Sequence, residues 1–175
     1  WNDNRRRPPY HNTYSRSALG WQTQTVLSSP AQISIQNSEI QTVSYRFNSP
    51  TTNEYFVVEN RQNSSWDTDI PHHGMLIYHV DKNWSGWSNN RINATPTHQG
   101  MDIEEADNSQ SSSSLNGDPF PGSSNKTVFN DSGNPNSHSW AGANTAKPIT
   151  NIVESNGVIS FDFMGGDIYN PTAFT

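Results

Sequence analysis

From Ala31 the chain alternates: Ala31, Ile33 and Ile35 fall on one side, and Gln32, Ser34 and Gln36 on the other. A period of two is the mark of a half-buried strand. Val43, Tyr45 and Phe47 repeat it in "TVSYRF", and both segments predict antiparallel strands with one solvated face. "EYFVVEN" and "GMLIYHV" are instead continuous apolar runs, as expected of central strands covered on both faces. "GMDIEEAD" alternates again. "NGVISFDFMGG" sets Ile159, Phe161 and Phe163 against Val158, Ser160 and Asp162 before a glycine pair ends it. One segment suggests a helix. In "HNTYSRSALGW", Tyr14, Ala18 and Trp21 recur at spacings of four and three, Asn12 or Thr13 is placed to cap the start, and Gly20 to stop it.

The remaining stretches are polar. "WNDNRRRPPY" reads as a loop, and residues 106–146 form a long Ser/Asn/Gly/Pro-rich segment with few apolar residues. Loops of that length inside a domain are usually functional or disordered, and "SQSSSSLNG" has the composition of a flexible linker. The expected fold is mainly β: an antiparallel sheet or β-sandwich with one short N-terminal helix and long irregular loops. Residues 1–166 read as a single β-rich domain and 167–175, "DIYNPTAFT" with its preceding residue pair Gly165 and Gly166, as an exit linker.

Composition narrows the functions. Apolar residues make up 30% of the 175 residues, and the deficit is filled by Asn, Ser, Thr and Gln rather than by charge. Six Trp, six Tyr and seven Phe supply bulk to a modest core. The net charge is −6, and the basic residues form no patch beyond Arg5, Arg6 and Arg7, so nucleic acid is not an expected partner. No apolar run approaches the ~18 residues of a membrane span. With no cysteine, disulfides, thiolate catalysis and Cys-ligated zinc are excluded. An acidic, cysteine-free, Asn/Ser/Thr-rich domain suits a secreted or cell-surface bacterial protein. Trp1 is an unusual native start, so a preceding piece is expected.

Polar residues at strand ends are the candidate chemistry. His79 and Asp81 share a face with Met75 and Ile77; they could ligate a metal, or His79 could pack in a sheet and bond a neighbouring carboxylate. Glu59 and Arg61 share a face at the end of another central run, where a bidentate brace competes with a catalytic acid. Asp102, Glu104, Glu105 and Asp107 lie close in sequence. Such density calls for a cation or for solvation. Hard oxygen ligands suit calcium, although the spacing is not that of an EF-hand. Trp66, Trp84 and Trp87 in polar loops could stack on sugars or form small satellite cores. No H-x-x-x-H, G-x-S-x-G or phosphate-cradling glycine loop is present.

In order along the chain, "NRRRPPYHNTYSRSALGW", "EYFVVENRQNSSWD", "HHGMLIYHVD", "HQGMDIEEAD" and "ITNIVESNGVISFDF" resemble the secreted, zinc-dependent metallopeptidases of the immune inhibitor A type. The resemblance covers nearly residues 5–164. It implies the part of the peptidase unit that follows the Met-turn. The family's HExxHxxG helix, which holds zinc and supplies the general base, would lie upstream, so no catalytic residue is carried over to this chain. The resemblance therefore implies a non-catalytic C-terminal portion, whose partner is the upstream catalytic half and which meets peptide or protein substrate through it. Zinc would belong only to that half. Glu59, Arg61, His79, Asp81 and the acidic segment are expected to form one polar network fixing the sheet, organised by calcium if any ion. The alternative is a carbohydrate-binding or adhesive β-sandwich using Trp66, Trp84 and Trp87.

Overall fold

The computed structural model describes residues 7–166. In chain order its elements are α1(Thr13–Ala18), β1(Thr23–Val26), β2(Ala31–Ile35), β3(Val43–Asn48), β4(Glu54–Arg61), β5(Gly74–Asp81), β6(Met101–Ile103), β7(Ile149–Ser155) and β8(Val158–Phe163). Sheet A has the order β1-β3-β4-β5-β6 and sheet B the order β2-β8-β7. The two pack face to face as a mainly β sandwich. Phe47, Phe56, Val58, Met75 and Ile77 of sheet A meet Ile33, Ile35, Ile152, Ile159, Phe161 and Phe163 of sheet B. Phe47 stacks on Phe56 at 5.0 Å between ring centroids and touches Phe163 at 5.6 Å. Burial of these rings and branched chains is the main stabilising term, each worth roughly 1.5–3 kcal/mol.

The other face of sheet A is also covered. Val57, Tyr78 and Val80 are buried there, with Tyr14 of α1 and Trp87 of the 82–100 loop packed over them. This second cover explains why β4 and β5 are apolar without alternation, while β2 and β8 alternate. An Asn156–Gly157 turn with positive φ at both residues joins β7 to β8, the geometry that matches the right-handed twist of a two-residue hairpin.

Three features depart from the sequence reading. β1 was not expected, and it pairs parallel with β3. A parallel pair needs a crossover, and here residues 27–42, including β2 in the opposite sheet, provide it. The helix buries Thr13 and Arg16, not the Tyr14–Ala18–Trp21 stripe; Trp21 is 64% exposed. Asn12 is indeed the cap, accepting from Ser15 N–H at 2.8 Å. Finally, the 106–146 segment contributes to the core. Phe120 and Phe129 are fully buried and bridge to Met75 and Ile149. Asp131 ties its far end together, accepting from Ser137, Thr145 and Ala146. The predicted exit linker 167–175 lies outside the described residues.

Candidate functional site

The β4–β5 register pairs Glu54 with Asp81, Phe56 with His79 and Glu59 with Leu76. Even-numbered residues of β4 therefore share a face with odd-numbered residues of β5. Glu59 and Arg61 lie on the outer face with Tyr78, whereas His79 and Asp81 lie on the inner side with Glu54 and Phe56. The single network expected from sequence is thus split in two by the sheet itself.

On the outer face Glu59 is the hub. Its Oε2 accepts from Thr13 N–H at 2.7 Å and Ser38 Oγ at 3.3 Å, with Arg16 3.7 Å away. Its Oε1 accepts from Tyr78 at 2.6 Å and Arg61 at 3.4 Å. Arg61 also donates to Asp67 Oδ1 at 2.7 Å. Two carboxylates thus face two guanidinium groups, all buried, so charge is balanced and the desolvation cost is offset by pairing. Burial opposes the charge on Arg61, but Glu59, Tyr78 and Asp67 outweigh it and raise the guanidinium pKa. Burial, followed by the charge on Glu59, pushes the Tyr78 phenol well above its ordinary value. The helix is drawn onto the sheet by its first turn, which is why Thr13 and Arg16 are its buried residues.

On the inner side His79 is 3% exposed, and both ring nitrogens meet carboxylates. Nε2 lies 2.7 Å from Glu54 Oε1, and Nδ1 3.2 Å from Glu104 Oε1. Burial pulls the imidazole pKa down, but the hydrogen bonds to Glu104 and Glu54 win and raise it to about 8. The ring stacks on Phe56 at 4.2 Å and beneath Trp140 at 5.3 Å. Trp140 stacks on His98 at 4.3 Å, and His98 on Trp84 at 4.4 Å. His98 Nε2 is 2.9 Å from Asp81 Oδ2. A column of rings therefore ties sheet A to the 82–100 loop and the 131–146 segment, and each imidazole in it is anchored to a carboxylate.

Beside this column is a polar cavity of about 410 Å³, bordered by His79, Asp102, Glu104, His138 and Trp140. Carboxylates outnumber cations here. Burial, then Glu104, pushes Asp102 up to about 6 against the pull of His79. The four acidic residues do not converge. Asp102 and Glu104 border the His79 cavity, Glu105 lines a space with Asn12 and Tyr78, and the Asp107 carboxylate lies against Gly117. Strand alternation sets Asp102 and Glu104 to one side and Glu105 to the other, and β6 ends at Ile103 before Asp107 is reached. Among the described residues no group of three or more His, Cys, Asp or Glu side chains is arranged to hold a metal ion.

The three loop tryptophans do not form one exposed plane. Trp66 is 52% exposed. Trp84 is stacked on His98, and Trp87 lies against Tyr14 and under Lys82 while its Nε1 donates to Asp81 O at 2.6 Å. Glu54, Asp67, Arg16 and Trp140 were missed as site residues. Glu54 opens a continuous apolar run, and a charged residue at such a position is a usable signal. The other three lie in a helix and in loops, where nothing in the local pattern marks burial.

No helix among the described residues is long and apolar enough to cross a membrane. Comparison with known protein families, characterised proteins and solved structures finds no match.

Proposed function

We propose that the chain is the non-catalytic C-terminal portion of a secreted metallopeptidase-like protein, a β-rich platform on which an upstream zinc-bearing half is seated. The observation that carries this reading is that the central group of each network is fully engaged. Each oxygen of Glu59 and each ring nitrogen of His79 is already engaged by a protein group. A general base needs a lone pair within reach of a substrate or water, and these groups offer none without breaking a buried bond. The polar residues of the signature strands then serve to fix the sheet, and peptide-bond hydrolysis would rest on the upstream half, whose zinc-bound water does the chemistry. The packing of Trp84 and Trp87 weighs against the sugar-binding alternative.

The test compares two preparations on a denatured protein substrate. One is this chain; the other is the natively secreted protein with whatever precedes Trp1. The chain alone is expected to be inactive with or without zinc, and the longer protein to be active with zinc and silent after chelation. Zinc-dependent hydrolysis by the chain alone would overturn the reading. So would a secreted protein whose preceding sequence carries no HExxH.

A further inference from the structure

On the α1 side of sheet A lies a groove of about 420 Å³, walled by Tyr10, Leu76, Ile103, Leu115 and Pro119. Leu115 stands at its rim, 43% exposed. Set into this apolar surface is Asp118. The residue is 8% exposed, and its Oδ1 is buried with no hydrogen-bond partner. It is in no ion pair among the described residues. A second space of about 420 Å³ shares Asn12, Tyr78 and Ile103 as lining with the first, and Glu105 lines it.

The backbone holds this carboxylate in place. Ala106 and Asp107 donate to the carbonyls of Asp118 and Gly117 at 2.9 and 3.2 Å, laying residues 106–107 beside 117–118. Gly117 leaves room for the Asp107 side chain: a Cβ would come 2.1 Å from Asp107 Oδ2 and force that carboxylate to move. Burial, reinforced by Asp107, pushes Asp118 up to about 6, and burial pushes Glu105 up to about 7. Arg61 also borders the groove but is already paired with Glu59 and Asp67. The charge at this end of the groove is therefore uncompensated, unlike the balanced outer network beside it.

A buried, unpartnered carboxylate costs stability. Its presence in an apolar wall matches a ligand that brings a cation on an apolar stem. A bare metal ion would need several converging oxygens, which are not grouped here. We propose that the groove binds an extended peptide segment that presents an arginine or lysine to Asp118 and rests apolar neighbours on Leu76, Ile103 and Leu115. An ion pair formed in such a desolvated setting is stronger than one at an open surface.

Fluorescence anisotropy with two labelled peptides tests this. One is Ala-Leu-Arg-Leu-Ala; the other replaces arginine by citrulline, which keeps the shape and removes the charge. The arginine peptide is expected to bind about tenfold more tightly. Asp118→Asn should reduce that preference to within about twofold, and Leu115→Ser should weaken both peptides alike. Equal binding of the two peptides, no binding of either, or an unchanged preference in Asp118→Asn would overturn the proposal. Because Asp118 makes no side-chain hydrogen bond, its amide variant should fold. Should it not, the wild-type comparison of the two peptides remains decisive. The assay uses this chain without zinc, so its outcome is separate from that of the proteolysis test.

Discussion

Removing the imidazole of His79 would leave Glu54 and Glu104 facing each other across a void beneath Trp140. Breaking a buried pair in this way costs about 3–5 kcal/mol, so His79→Ala should lower the denaturant midpoint markedly, with or without chelator. Glu59→Gln keeps the shape but removes the charge that Arg16 and Arg61 share. It should cost about 3 kcal/mol by the same reasoning and loosen α1 first, visible as faster amide exchange at Thr13. Asn12→Ala removes only a cap and should cost about 1 kcal/mol. The cap was legible because Asn before a polar-apolar repeat has a local meaning. The partners of Glu59 were not, because besides Arg61 they come from α1, residue 38 and β5, and only the folded register brings them together.

Among the elements, β2, β4, β5 and β8 could be read directly, since each is long enough for its pattern of burial to show in its side chains. β1 could not. Its four residues are almost all exposed, so an edge strand held by backbone pairing leaves no hydrophobic trace. The face of α1 was misread for a related reason: hydrogen bonds and an ion pair bury Thr13 and Arg16, while Tyr14 is only partly buried in its apolar contact. Residues 130–146 looked like a run of turns because their order depends on one carboxylate. Burial pushes Asp131 up, but its bonds from Thr145, Ser137 and Ala146 prevail and lower its pKa. Asp131→Ala should cost about 2 kcal/mol through the donors left unpaired. Limited proteolysis should then nick this segment well before the sheets.

Taken as a whole, the molecule carries several groups that hold protons more tightly folded than unfolded. Asp102 and Asp118 rise to about 6 from 3.8, Glu105 to about 7 from 4.5, and His79 to about 8 from 6.5. Where the native state binds more protons, stability falls as pH rises. The carboxylates lose their contribution between about pH 4 and 7, and His79 loses its own between about 6.5 and 8. Asp131 acts in the opposite sense, its stabilisation vanishing as the medium is acidified below its lowered pKa. The melting temperature should therefore be highest near about pH 4 and decline towards pH 8. A His79→Ala variant should lack the upper part of that decline.

The pairing of β2 with β8 also sets the order in which the chain can fold during synthesis. β2 is made well before β8, yet among the described residues its only sheet neighbour is β8, and Asn60 of β4 donates at 2.8 Å to the carbonyl of Gly157, 97 residues further on. Until residues 149–163 have left the ribosome, Ile33 and Ile35 have no sheet to join, and the inner face of sheet A stays uncovered. Contacts this distant in sequence slow folding and prolong the exposure of apolar surface. The nascent polypeptide must therefore be kept from aggregating until the β7–β8 hairpin emerges.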